Sequence, residues 1–385
     1  MTTFALPLQI YDLTRSTFAV GVLAVAELIP TLAVGLAGGA LADHFDRRWL
    51  ALSTSVALAL ISAVLAIQAS AGLDLLWLLY ALGVMQAALN AINGPVRRTF
   101  IPSLLPADEL AAGLALDRLS FQITLTMGPA LAGLIVAAPG LGLRGCYLTD
   151  ALSFAASLYG VARLPEIPYA RVAGPTLVAV AEGLRFIRGS PQLLGAFLAD
   201  LSATVFALPL ALFPAINAER FGGDPRTLGL FTTTIGIGGL LTAIFSRPIN
   251  RLTNHTTAML ISVAVWGAAF ASFAIVPGLG LALAMLALAG AADTVTVVLR
   301  GTIIQTHTPD ELRGRVTAVE YVAAVSGQQL GNLEAGALGT LTSPAASAFI
   351  GGTLTILTAT AIAIVHLGVP GHDTTTPNVT TTTRP

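Results

Sequence analysis

Stretches of about 20 consecutive, mostly apolar residues recur along almost the whole chain, each long enough to cross a roughly 30 Å hydrocarbon layer as a helix. Eleven such runs fall near residues 17–41, 50–71, 74–96, 110–138, 143–163, 192–216, 228–246, 257–277, 279–299, 315–341 and 345–367. Only 10% of the residues are charged and the mean hydropathy is +0.81, a mix that excludes a water-soluble domain. The fold class is therefore an all-α polytopic membrane protein. Residues 3–10 precede the first full run. They are too short to span alone and read as the outer half of a truncated first helix. The N-terminus has neither a basic region nor a small-residue cleavage site, so no signal peptide is expected.

Charge placement sets the orientation. All 19 basic residues are arginine, and thirteen of them fall in alternate gaps between runs: Arg47, Arg48, Arg97, Arg98, Arg163, Arg171, Arg185, Arg188, Arg247, Arg251, Arg300, Arg313 and Arg315. Cytoplasmic loops retain positive charge, so these gaps read as cytoplasmic. The opposite gaps hold only Arg15, Arg144, Arg220 and Arg226. The net charge of −1 gives no reason to expect a nucleic-acid partner, and the lone Cys146 excludes an internal disulfide framework.

The chain also repeats itself. Residues 98–110 (RTFIPSLLPADEL) and 300–312 (RGTIIQTHTPDEL) align Arg, Asp, Glu and Leu at an offset of 202, each closing one run and opening the next. A Pro followed by acidic residues is a helix-start signal, because carboxylates favour the positive end of the helix dipole. Two parallel bundles of about six helices follow, with a substrate path expected at their interface near mid-membrane. The expected organisation is an N-terminal bundle over 1–163, a cytoplasmic linker over 164–191, a C-terminal bundle over 192–370 and a disordered Thr-rich tail over 371–385. Within the linker, Val178, Ala181, Leu184 and Ile187 recur at helical spacing against Glu182, Arg185 and Arg188, as in a helix lying on a lipid surface.

Residues 38–48 (GGALADHFDRR) resemble the signature of the major facilitator superfamily between its second and third helices. Gly39, Leu41, Asp43, Arg47 and Arg48 match it; His44 and Asp46 depart from the commonest form. Residues 4–8 with 11–14, 27–30 and 182–187 are further similar to its siderophore-exporter and macrolide-efflux branch. The resemblance implies the facilitator fold, two pseudo-symmetric six-helix bundles working by alternating access, and covers about residues 1–370. It also implies that Asp43 faces the segment 311–315, with Arg47 and Arg98 completing a cytoplasmic charge cluster that latches the halves; topology signal and helix capping are the plainer roles for the same residues. Gly128, Pro129 and Gly133 resemble a degenerate antiporter motif, whose Pro can bend the helix and whose Gly lets backbones approach. The intrahelical Arg common in proton-coupled drug antiporters is missing, with Gly83 in its region.

Ionisable groups within a bilayer are costly and usually face a cavity. Glu27, Asp117, Asp293 and Glu320 sit deepest in the runs and are the candidate proton-coupling carboxyls, a buried structural hydrogen bond being the alternative for each. Asp150 and Asp200 fit an interface or the interior equally well. Gln86, Asn90, Gln122, Gln328 and Asn332 are candidate uncharged contacts in a substrate cavity, as are Asn93 and Thr124, though all could serve helix packing. Trp77, Tyr80 and Trp266 are expected as interface anchors. No phosphate loop or metal-ligand spacing is present, so no enzyme activity, cofactor or metal is expected and an ion gradient supplies the energy. The expectation is a monomeric exporter of small organic molecules, drug or siderophore, in a bacterial cytoplasmic membrane, with protons, substrate and the bilayer as its partners. A nutrient importer and a transport-dead relic are the rivals.

Overall fold

The computed structural model describes residues 1–42, 46–98, 100–106, 108–164, 177–207, 210–245 and 254–367, the side chains of 36–42, 98 and 366–367 aside. Fifteen helices account for nearly all of it. Those of the N-terminal half are α1 (Thr2–Thr14), α2 (Thr17–Ala42), α3 (Arg47–Ala71), α4 (Leu76–Arg98), the short α5 (Phe100–Leu104), α6 (Leu110–Ala137) and α7 (Gly142–Ala162). The linker helix α8 (Leu177–Gly189) leads to α9 (Pro191–Phe206), a 3-10 turn (Leu210–Leu212), α10 (Phe213–Arg220), α11 (Pro225–Ile244), α12 (His255–Ile275), α13 (Leu279–His307), α14 (Asp310–Leu341) and α15 (Pro344–Leu367). Each of the eleven expected runs carries helix, the run 192–216 being divided between α9 and α10, and nine helical stretches among the described residues are long and apolar enough to cross a membrane.

Local chemistry sets the ends. Asp46, Asp224 and Asn254 each accept a hydrogen bond from a backbone amide of the helix they precede, at 2.8, 2.8 and 3.0 Å, satisfying donors that no helical carbonyl can reach. Pro191 and Pro225 open α9 and α11, where a missing amide costs nothing. Gly72 closes α3 in the left-handed conformation at φ 59°, with its amide bonded to Gln68 O.

The halves meet chiefly along two seams, α2 against α14 and α6 against α11. Both are built on glycine. A Cβ on Gly21 would lie 2.7 Å from Asn332 O, one on Gly336 2.5 Å from Thr17 O, one on Gly229 2.6 Å from Pro129 O and one on Gly133 2.5 Å from Pro225 O. Such close backbone approach is the usual device for packing helices in lipid, where no hydrophobic drive brings them together. Thr17 adds a hydroxyl clasp, donating to Gly336 O at 2.8 Å and lying 3.0 Å from the Thr340 hydroxyl.

These contacts crowd toward the end away from the arginine-rich gaps. Toward the arginine-rich end the α6/α11 seam parts below Thr126 and Gly236, and α6 is exposed at every position from 114 to 121. A helix facing lipid on one side only would bury a residue every third or fourth position, so space lies on both sides of it. The α2/α14 seam continues further, to Gly35 against Tyr321. The cleft between the halves thus opens at the α6/α11 side toward the end that positive charge assigns to the cytoplasm.

Three expectations change. The linker helix buries Gly183 and Ile187, and turns Leu177, Val178 and Ala181 outward on the face that carries Arg185 and Arg188. Gly183 allows this because a Cβ there would lie 2.4 Å from Arg315 O of α14. Trp266 is no interface anchor: it is 4% exposed and donates its indole N–H to Ala207 O at 2.7 Å, whereas Trp77 is 67% exposed. Arg300 does not lie in a loop. Helix α13 runs on to His307, and Arg300 is 9% exposed inside it.

Candidate transport site

Glu27 lies on α2 ten residues into the helix, with α4 and α14 against it. A Cβ on Gly83 of α4 would come within 3.2 Å of its Oε1, so the absence of a side chain there makes room for the carboxyl group. Its Oε2 accepts from Gln329 Nε2 of α14 at 3.5 Å. Among the hydrogen bonds and ion pairs of the described residues, this is the one in which a carboxyl reaches across the halves. Gln329 in turn accepts from Asn332 Nδ2 at 3.4 Å, and Asn332 Oδ1 accepts from Ala211 N at 3.0 Å. A polar thread therefore runs from the N-terminal half through α14 to the start of the segment after α9.

A second cluster lies wholly in the C-terminal half. Arg300 of α13 bridges Asp200 of α9 and Glu320 of α14, the latter at 2.9 Å, and Asp293 sits two turns away on α13 within electrostatic reach. The side chains of all three bridged residues are largely buried. A guanidinium flanked by carboxylates is the arrangement that makes charge tolerable in hydrocarbon. Asp200, which the sequence left between interface and interior, is interior.

In the N-terminal half the corresponding arginine is met by neutral groups. Arg97 donates to Ser55 at 3.1 Å and to Ser157, and Asn93 donates to Thr54 and Ser55 at 2.7 and 3.2 Å. Tyr147 donates to Gln9 and Gln9 to Gln68, at 2.8 and 2.9 Å. Asp150 accepts from Thr2 and Ser62 at 2.6 and 3.0 Å and lies 3.2 Å from the Met1 amino group.

The other candidates scatter. Asp117, expected deep in a span, is exposed on α6 beside Arg118, because that stretch of α6 has no packed neighbour. Gln86 and Asn332 are buried, Gln122 and Gln328 half-buried, and Asn90 exposed. Asn93 is a packing contact, held by Thr54 and Ser55. Of the antiporter-like residues, Pro129 and Gly133 form the α6/α11 seam, while a Cβ on Gly128 would meet nothing. In the signature loop, Asp43 lies outside the described residues, as do the side chains of Gly39's stretch and of Arg98. Arg47 is buried, and Arg48 donates to Ala162 O at 2.5 Å. Arg315, expected near Asp43, pairs with Glu182 of the linker helix at 3.0 Å. A cavity of about 350 Å³ at the outer end of the N-terminal half, bordered by Gln9, Asp12, Asp74 and Arg144, does not include Glu27.

Two half-bundles joined by glycine seams, a cleft opening at one end and a carboxyl held between the halves define a membrane transporter of the major facilitator type. The chain belongs to the transmembrane secretion effector family of that superfamily, whose model matches residues 2–381, and is a multi-pass protein of the bacterial cytoplasmic membrane. It is 29% identical over 352 residues to the multidrug efflux pump Tap of Mycolicibacterium fortuitum, covering 88% of this chain and 85% of the pump. It is 26% identical over 355 residues to the enterobactin exporter EntS of Salmonella typhimurium, covering 90% and 84%. Among solved structures, the nucleoside transporter NupG superposes with a TM-score of 0.74 at 15% identity over 94% of each chain. A bacterial homologue of the iron transporter ferroportin, in an inward-facing state, gives 0.70 at 16% identity over 95% and 93%. At these identities the structures speak for the fold alone.

Proposed function

We propose that the protein exports small, moderately hydrophobic organic molecules in exchange for protons, by alternating access between the two half-bundles. The observation that carries the reading is the Glu27–Gln329 contact across the α2/α14 seam. A carboxyl group in that position interacts differently with its partner when protonated and when charged, and the seam is what must rearrange when the cleft changes sides. Proton occupancy can therefore bias the two arrangements, because a ligand shifts such an equilibrium by its differential affinity for the two states. Asp293, Glu320 and Asp200 belong to the Arg300 cluster within one half and are assigned a supporting role. Asp117, in the open stretch of α6, is accessible to protons and substrate alike. The efflux activities named for Tap and EntS support outward transport, and Gln86, Gln122 and Gln328 with the apolar walls suit an uncharged or weakly polar cargo surface.

The test is transport in everted membrane vesicles, using ethidium and a catecholate siderophore as separate probes. Protonophore-sensitive accumulation of either, lost in Glu27→Gln, is the expected result. Accumulation that persists in Glu27→Gln moves coupling to Asp117 or the Arg300 cluster. No accumulation of either probe by the correctly inserted protein points to an importer or to another cargo.

A further inference from the structure

The apolar run 192–216 is not one helix. Helix α9 ends at Phe206 and a 3-10 turn begins at Leu210, so the last carbonyls of the one and the first amides of the other lack partners within their own helix. Two side chains from other helices take them up: Trp266 of α12 donates to Ala207 O at 2.7 Å, and Asn332 of α14 accepts from Ala211 N at 3.0 Å. The two braces differ in what lies behind them. Trp266 sits in the core of the C-terminal half against Phe270. Asn332 is the last member of the thread that begins at Glu27.

The piece that Asn332 holds belongs to the outer closure. Ala211 and Ala215 are buried in the core of the opposite half, among Leu6, Ile10, Tyr11, Val20 and Leu23. The segment after the break is thus a plug from one half seated in the other.

The thread has a direction. Ala211 N donates to Asn332, Asn332 donates to Gln329, and Gln329 donates to Glu27, so each amide gives toward the carboxyl group and receives from behind. A charged terminal acceptor strengthens and polarises every bond in such a chain, and a proton on it removes that charge. We infer that Gln329 and Asn332 are positioning residues that convey the protonation state of Glu27 to the 210–220 segment, tightening or loosening the outer closure. The inference rests on the proposed role of Glu27 and deepens it.

Other titratable groups on the neighbouring helices are engaged elsewhere. Tyr80 of α4 donates to Ala19 O, Arg97 is held by serines, Glu320 is bound to Arg300, and Tyr321 abuts Gly35. Asp12 of α1 pairs with Arg15, which also lies over the Tyr11 ring; Glu334 is the remaining carboxyl on the outer half of α14.

Spin labels at Leu73→Cys and Leu341→Cys, both exposed at the outer ends of opposite halves, report the closure in the purified full-length protein without a substrate. Cys146 is buried and stays unlabelled. The parent is expected to change its inter-label distance distribution between about pH 5.5 and about pH 8.5, and Glu27→Gln to abolish that change. Gln329→Met and Asn332→Ala should abolish it as well, and the double variant should do no more than either. Trp266→Phe, which removes the other brace, should keep the parent's pH response. A flat Glu27→Gln with parent-like Gln329→Met and Asn332→Ala overturns the relay and leaves the role of Glu27 standing. A parent without pH response, or a Glu27→Gln that keeps it, overturns both.

Discussion

The two halves of the molecule place an arginine at nearly the same point of the repeat and surround it differently. Arg97, one residue before the repeat partner of Arg300, is bound by the hydroxyls of Ser55 and Ser157; Arg300 is bound by the carboxylates Asp200 and Glu320. The hydroxyl partners of Arg97 carry no charge. The Arg300 site is held instead by opposite charges. The Arg97 site is a scaffold of neutral contacts, the Arg300 site an ion-pair cluster.

The sharpest way to break this comparison is to remove each arginine. Arg300→Met strands two buried carboxylates and is expected to cost about 3–5 kcal/mol, read as loss of folded protein in detergent, with partial recovery in the Arg300→Met, Asp200→Asn double variant. Arg97→Met leaves only hydroxyls behind and should cost clearly less in the same assay. Equal losses would erase the distinction. The seams should be next in sensitivity. Gly133→Ala puts a methyl against Pro225 O and is expected to cost about 1–3 kcal/mol and most of the transport, whereas Gly128→Ala meets nothing and should be silent. Within the scaffold, Asn93→Ala should lower stability by only about 0.6 kcal/mol, the usual worth of a polar contact between membrane helices. Smallest of all is Glu182→Gln. Its pair with Arg315 is 40% and 45% exposed, so a change of a few tenths of a kcal/mol in thermal stability is expected.

Hydropathy alone made the spans legible, since only helices of about 20 residues satisfy their backbone in lipid. Glu27 stood out for the same reason, as one acid in an apolar run. Its partner did not: Gln329 is a neutral residue one position from Gln328, and nothing local distinguishes which of two adjacent amides turns toward α2. Arg300 was misplaced because a charge looks like the end of an apolar run, whereas here Asp200 and Glu320, 100 and 20 residues away, carry it inside. The pairing of Asn332 with Ala211 was hidden more deeply. Its partner is a backbone amide at the start of the 3-10 turn, and the apolar run 192–216 reads as continuous. The α8 face was misjudged because Gly183, which has no side chain to place on either face, is what seats the helix on α14.

The three tryptophans divide in a way that suits optical measurement. Trp49 and Trp77 are 70% and 67% exposed, and Trp266 is buried at the broken span with its N–H bonded to Ala207 O. Replacing the two exposed indoles with phenylalanine leaves a single native fluorophore in a buried, hydrogen-bonded pocket. Its emission should be blue-shifted at rest and move to the red whenever water or motion reaches the end of α9, so the protein carries its own reporter of that side of the span, apart from the segment that Asn332 holds.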